Sequence, residues 1–453
     1  MASAAESLAS SLSFASFAKA ADLRKRLWFT LGALVVFRLC SFVPLPGIDP
    51  AALEQLFQQT AGGVMDFFNM FSGGALERMS IVALGIMPYI TASIVVQLLA
   101  AIYEPWKALK KEGEAGRKKL NQYTRMGTVA LVLFQGYGIA VGLENWGASQ
   151  GMSAVLDPGW FFRATTVITL LGGTMFLMWL GEQITSRGVG NGISLIIMAG
   201  IVAQLPMAVG QLFEQGRTGA ISAGFLLLIV VLALAVVAFI CFMERAQRRI
   251  LIQYPKRQVG NRMFGGESSH LPLKINTPGV IPPIFASSLL LLPLTVAQFL
   301  GAEGSGPDWL LAVTSALQHG APVYMALYAL GIVFFSFFYT SVVFNPEETA
   351  ENLKKYGGFI PGIRPGERTA EYLDYVLTRI TVVGAAYLTL ICLLPEFLIS
   401  ELAVPFYFGG TSLLIVVNVT MDTVAQIQGH MLAHQYEGLI RKAKLRGGGS
   451  GRR

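Results

Sequence analysis

The sequence predicts an all-α polytopic membrane protein with ten spanning helices, and a half-helix in front of the second. Three observations carry this. Of 453 residues, 53% are hydrophobic and only 13% charged, with a mean hydropathy of +0.56, where a soluble domain carries about 25% charge. Apolar runs long enough for a bilayer recur from end to end. Finally, all but four of the 34 Lys and Arg residues (Arg38, Arg78, Arg163 and Arg217) fall before the first run, in alternate loops, or after the last.

A bilayer core needs about 20 apolar residues in a helix. The runs lie at about 27–43, 79–102, 125–143, 161–181, 193–212, 221–243, 280–301, 322–344, 379–399 and 404–427. Lys and Arg accumulate in cytoplasmic loops, so both termini are expected in the cytoplasm. One span missed or invented in mid-chain would destroy the alternation. The net charge of +7 is thus topological first. Lys256, Arg257 and Arg262 sit deep inside a long loop, where the charge rule acts weakly, and there they invite an anionic partner.

Each element has its own signal. Residues 1–22 carry Leu8, Leu12, Phe14 and Phe17, a spacing that fits a short amphipathic helix on the membrane surface or a disordered tail. No small-residue cleavage site closes the first apolar run, so no cleaved signal peptide is expected. In "GGVMDFFNMFSGGALERMSIVALGIMPYI", an apolar stretch too short to span runs into Gly73-Gly74 and then meets Glu77 and Arg78. Ile86 and Ile90 are four apart, as are Ile193 and Ile197, so each pair stacks on one helix face. Pro88 and Pro282-Pro283 are expected to loosen their helices.

Chemistry is conspicuous by what the chain lacks. Cys40, Cys241 and Cys392 lie inside apolar runs and read as buried thiols. His270, His319, His430 and His434 stand in loops or the tail without metal-site spacing. "GVGNG" at 188–192 resembles a phosphate loop but lacks its lysine and preceding strand. Intramembrane charge is limited to Arg38, read as snorkelling or helix-pairing, and Asp422, read as pairing with a neighbouring helix. These absences argue against an intramembrane enzyme, and no cofactor, metal or catalytic residue is expected. A small-solute transporter would place polar groups at the midplane, and a static scaffold would carry no movable segment.

Six stretches together resemble one family: "FNMFSGGALERMSIVALGIMPYITASI", "KKEGEAGRKKLNQYTR", "GTMFLMWLGEQITSRGVGNGIS", "SHLPLKINTPGVIPPIFASS", "FFYTSVVFNPEETAENLKKYGGFIPGIRPGERTAEYL" and "PFYFGGTSLLIVV". They are similar to the bacterial SecY family, the channel-forming subunit of the Sec protein translocase, in collinear order from about Leu23 to Lys444.

The resemblance implies an hourglass of two pseudo-symmetric five-helix halves. These are 23–212 (spans 1–5) and 221–427 (spans 6–10), with cytoplasmic loops at about 244–279 and 345–378 and a tail from 428. It implies a pore ring of Ile86, Ile90, Ile193, Ile197, Ile284 and Ile415. The half-helix becomes a plug at about 62–74, with Met65, Phe67, Phe68, Met70 and Phe71 as its apolar body and Gly73 and Gly74 as a hinge. Gln97, Gln135, Asn276 and Thr277 fall at a lateral gate. Lys256, Arg257, Arg262 and Arg364 fall where SecA or the ribosome docks, although Asn261-Arg262 stands where some relatives have paired arginines.

The implied activity is passage of unfolded preproteins across the bacterial inner membrane, with sideways release of hydrophobic segments into it. The implied partners are SecE, SecG, the SecA ATPase, the ribosome, preprotein signal sequences and membrane lipids. No small-molecule substrate is implied, and energy must come from outside a chain that has no nucleotide site.

Overall fold

Apolar runs bounded by glycine, proline and charge become helices in the computed structural model. It describes residues 21–49, 52–53, 69, 72–150, 155–219, 222–254, 257–259, 262–264, 268–290, 316, 321–402 and 410–447. The expected plug body, Met65, Phe67, Phe68, Met70 and Phe71, lies outside the described residues, as do Lys256 and the two chain ends.

The first packing group holds α1 (Ala21–Cys40), α2 (Met87–Ile102), α3 (Glu104–Lys111), α4 (Glu114–Gln150), α5 (Trp160–Arg187) and α6 (Gly192–Arg217). The second holds α7 (Ala223–Arg245), α8 (Ile281–Leu290), α9 (Pro322–Val343), α10 (Pro346–Lys355), α11 (Glu367–Leu402) and α12 (Gly410–Gly447). Within the first group α4 packs on α2 and α5, and α5 on α1 and α6. Within the second, α11 packs on α9, α10 and α12, and α12 on α7. The groups meet where α6 touches α12 and α7, and where α12 touches α1.

Six described helices are long and apolar enough to cross a membrane, and the bent pair α2–α3 raises this to seven. Small residues allow the close approaches, since lipid supplies no hydrophobic drive between helices. A Cβ added at Gly173 of α5 would fall 1.8 Å from the Ile81 carbonyl, and one at Gly331 of α9 would fall 3.0 Å from Ala286 Cβ.

Three differences from expectation are informative. Residues 75–86 run as consecutive turns, so the second span is helical only from Met87. Met79 has φ +42° and Gly85 φ +56°, a backbone region that ends helices. Pro88 lies in the first turn of α2, and Pro282-Pro283 in the first turn of α8. There the missing N–H costs nothing, so these prolines start helices and do not loosen them.

In the third, the loop after α7 is a β-ribbon. β1 (Gln247–Gln253) pairs antiparallel with β4 (Ser268–Lys274), and β2 (Arg257–Val259) pairs with β3 (Arg262–Phe264) at the tip. Burial alternates along β1, with Ile250 and Ile252 inward and Arg249, Leu251 and Gln253 outward, which gives the strand one buried face.

The ribbon does not stand alone. Gln253 and Phe359 exchange backbone hydrogen bonds of 2.9 and 3.0 Å. Ile250 and Leu273 share a core with Ile360 and Leu373, so the ribbon and the loop around α10 form one platform. Asn345 caps α10 by accepting from Glu347 and Glu348 N–H, with Glu347 and Glu348 in its first turn and Lys354 and Lys355 in its last, the charge order that a helix dipole favours.

Candidate functional site: an apolar waist and its surroundings

Helix starts bring isoleucines to one level. Ile86 is the N-cap of α2, with Ile90 one turn on, its N–H donating to the Ile86 carbonyl at 3.1 Å. Ile193 and Ile197 occupy the first turns of α6, where Asn191 caps the helix by accepting from Ile193 N–H. Ile284 lies in the first turn of α8 and Ile415 near the start of α12.

Ile86, Ile90, Ile197, Ile284 and Ile415 are all buried in a single apolar cluster, and Ile193 packs against it. That cluster draws from both packing groups. It also takes in Phe37 of α1, Leu177 of α5, Phe285 of α8 and Leu414 of α12, which the sequence did not single out. Beside Ile86 and Ile90 is a void of about 10 Å³ walled by apolar side chains and Gly85. A single water needs about 10–15 Å³, so the void is at the lower limit of what one water fills, and its apolar walls offer no hydrogen-bonding side chain.

Near the start of the second span a turn is anchored from two helices. Arg38 turns inward from the end of α1 and donates to the Gly73 carbonyl at 2.7 Å. Its guanidinium carbon lies 4.7 Å from the centre of the Phe42 ring, and that of Arg78 lies 4.4 Å from the same ring. Gln204 of α6 donates to the Asn69 carbonyl at 3.0 Å, and Asn69 bonds Glu77 through both its amide atoms. Gly73 and Gly74 have φ +71° and +80°. A Cβ on Gly73 would fall 2.9 Å from Gly200 Cα, so at this point the chain lies backbone to backbone on α6. In this arrangement the expected hinge glycines are packed, Gly73 against Gly200 and held by Arg38.

The four polar residues expected at a gate share no hydrogen bond with one another. Gln97 is exposed and bonds Ser93 of its own helix. Gln135 is buried in α4 with its carbonyl oxygen unpartnered. Asn276 is buried and donates to Glu244 of α7 and to the Gly279 carbonyl. Thr277 donates to the Lys274 carbonyl at 2.9 Å. The bond that does cross between packing groups on this side runs from Lys110 Nζ of α3 to the Val342 carbonyl in the last turn of α9, at 3.3 Å. Asp422 is exposed and makes no ion pair among the described residues, contrary to the helix-pairing expectation.

On the platform, Arg257 pairs by register with Phe264 and Arg262 with Val259, which puts both at the ribbon tip. Arg364 is exposed in a turn between Gly362 (φ +82°) and Gly366 (φ +110°), and Thr369 holds that turn by donating to the Arg364 carbonyl at 2.9 Å. Among the described residues, no group of three or more His, Cys, Asp or Glu side chains could hold a metal.

The SecY family profile matches residues 80–424. The protein translocase subunit SecY of Escherichia coli strain K12 is 57% identical over 428 residues, 94% of this chain and 96% of that one. The chain belongs to the SecY family. It is the protein-conducting channel of a Sec translocon, a multi-pass membrane protein with the ten-span SecY fold and its plug, and not an enzyme.

Solved structures agree on the fold. One of a protein-conducting channel superposes with a TM-score of 0.64 at 18% identity, covering 89% of this chain and 92% of that one. Sec61 in a canine ribosome–channel complex superposes at 0.60 with 16% identity and the same coverage of the two chains.

Proposed function

We propose that the ring Ile86, Ile90, Ile193, Ile197, Ile284 and Ile415 is the gasket of this channel. A translocating chain brings polar backbone groups that lipid cannot accept. A ring of branched aliphatic side chains sheds water when empty, which bars ions, and closes flexibly around a chain when occupied. The observation that supports this is the convergence of the six isoleucines on one apolar cluster shared by both packing groups.

Around the ring, residues 62–74 are the plug, with Met65, Phe67, Phe68, Met70 and Phe71 as its body, and the Arg38–Gly73 contact pins its far end. The lateral gate runs between α2 and α4 on one side and α8 and α9 on the other, with Gln97, Gln135, Asn276 and Thr277 along its walls. A segment of apolar residues leaves through it with a gain of about 0.3–0.6 kcal/mol per Leu or Ile at mid-membrane.

The platform faces the cytoplasm with both termini, in the inner membrane of a bacterium. Arg364, Arg257, Arg262 and Lys256 there dock SecA or the ribosome. Phosphates attract such side chains in a salt-dependent way, and the similarity to a ribosome-bound Sec61 supports ribosome contact. SecE and SecG complete the assembly.

The test is cross-linking of an arrested preprotein to single cysteines. A cysteine at Ile86, Ile284 or Ile415 should capture the arrested chain, and one at the lipid-exposed Leu227 or Leu330 should not. Equal capture at both sets would sink the assignment.

A further inference from the structure

Most of α7 is exposed on the outside of the fold, with only 11% of its apolar window buried, and its last turn breaks that pattern. Glu244, one residue before its end, is only 8% exposed. A buried carboxylate is ordinarily paired with a cation. Glu244 has no ion pair among the described residues, and its described hydrogen bond is the one it accepts from Asn276 Nδ2. Arg245, next to it in sequence, is exposed.

Asn276 is 3% exposed, and its Nδ2 also donates to the Gly279 carbonyl at 3.2 Å. Its other atom is idle: Asn276 Oδ1 is buried and accepts from no described group. Such an acceptor is costly, and an ionised Glu244 does not satisfy it, because a carboxylate only accepts. A protonated Glu244 brings an O–H beside its carbonyl. An acid and a primary amide are then complementary, each with a donor and an acceptor for the other. The proton also removes the unpaired buried charge. Two separate defects thus have one remedy, a proton on Glu244.

Other titratable groups face this carboxyl from the elements around it. Lys274 of β4 and Asp422 of α12 act on it electrostatically. Both are exposed, and their charges oppose each other. Tyr387 of α11 also lies within electrostatic reach, with Cys241 of α7 and Cys392 of α11 around it. Its ring packs edge-on against Phe239 of α7, and its hydroxyl is buried and unpartnered.

The position of Asn276 gives the pair its consequence. It belongs to the turn 275–279, between β4 and α8, which is tied again to the end of α7 by Ile275 N–H donating to the Ala246 carbonyl at 3.1 Å. The turn is wedged against two more helices. A Cβ on Gly384 of α11 would fall 2.7 Å from the Ile275 carbonyl, and one on Gly279 (φ +65°) would fall 3.6 Å from Asn418 Nδ2 of α12. This turn sets where α8 begins, and α8 carries Ile284.

We propose that Glu244 is a proton-binding site whose neutral acid, paired with Asn276, latches the turn at the head of α8 while the channel is shut. When the proton leaves to water, a buried carboxylate remains beside an orphan oxygen. That state favours any arrangement in which water reaches the carboxylate, so the turn loosens and the seam parts more readily. The latch rests on the reading of the seam given above; the proton site does not.

Infrared difference spectra of the assembled complex in vesicles read the proton. A glutamate in water, with a pKa of about 4.3, is ionised at neutral pH. The parent should nonetheless show the carbonyl band of a protonated carboxyl there. Glu244→Gln should lose that band, and Asp422→Asn should keep it. Paired spin labels at the exposed Ala108 and Ser341, with the three cysteines replaced by alanine, read the seam. From about pH 6 to 9 the parted fraction of the resting complex should rise, by no more than about tenfold per pH unit for one proton. In Glu244→Gln, where a neutral amide stands in for the acid, the fraction should stay at the parent's low-pH value throughout. Asn276→Leu, which strips the acid of its partner, should raise the parted fraction at low pH.

A parent without the band at neutral pH overturns the site. So does a band lost in Asp422→Asn and kept in Glu244→Gln. A parted fraction that follows pH equally in the parent and in Glu244→Gln overturns the latch. A seam that stays shut even with an arrested preprotein engaged removes the seam reading and the latch with it, whereas one that parts for the preprotein and ignores pH removes the latch alone.

Discussion

Gly73 and Arg38 show how much one residue decides beside the waist. Gly73 sits at φ +71° with its α-carbon face against Gly200, and Arg38 holds its carbonyl. An alanine there meets both a left-handed backbone and a backbone neighbour, a strain of about 1–3 kcal/mol. Gly73→Ala is therefore expected to lower the thermal midpoint of the purified complex and to raise the ion leak of vesicles containing it, and a variant equal to the parent in both would refute this packing. The role of Arg38 was not legible in the sequence. A charge near a helix end reads as snorkelling unless one knows where the next segment returns, and here the returning partner is 35 residues away. The isoleucine pairs were legible because a four-residue spacing is a local property of helices. That Ile193 and Ile197 fall inward depends on the cap at Asn191 and the tight loop before it.

Elements divide in the same way. The start and stop of α10 follow from Asn345-Pro346 and Lys354-Lys355, signals that act within one turn. The turns at 75–86 follow instead from packing, since Met79 at φ +42° pairs its carbonyl with Leu45 N–H at 2.9 Å, across a gap of sequence that no local rule sees. The β-ribbon was hidden for a related reason: its buried face forms against Ile360 of a distant loop and Leu373 of α11.

That shared core makes the platform a unit with testable behaviour. Leu373 is fully buried, and Leu373→Asp puts an unpaired carboxylate into it, so ATP-driven import should fall severely while the ion seal at the waist stays intact. Arg364→Glu spares the core and changes only the exposed charge. On the proposed docking role, an acidic side chain there sets like charge against the partner's anionic face, and import should fall by about tenfold or more. Import at the parent rate in Arg364→Glu vesicles would remove the docking role.

At the scale of the whole molecule, the two helix groups as described are joined along α6 and α12, and on the opposite side by the Lys110–Val342 hydrogen bond. Lys110 places an ammonium against the last turn of α9, where no basic residue of α9 itself stands. A cation at a helix C-terminus is worth about 0.3–1 kcal/mol, and salt weakens it. Lys110→Glu replaces that attraction with repulsion. Transport of a preprotein carrying a weakened signal sequence should then rise about two- to fivefold at low salt, the factor those energies correspond to, and the gain should shrink at high salt. No gain at either salt level would mean the seam is held by something else.

The central claim is that a dry isoleucine ring, drawn from both groups, keeps ions out of a channel that passes polypeptide. Single-channel conductance of the reconstituted complex tests it most directly. Replacing Ile86 and Ile415 together by asparagine puts polar amides into the ring at an equal side-chain heavy-atom count, and the account predicts frequent ion-conducting openings in the absence of any preprotein. A double variant as silent as the parent would contradict it.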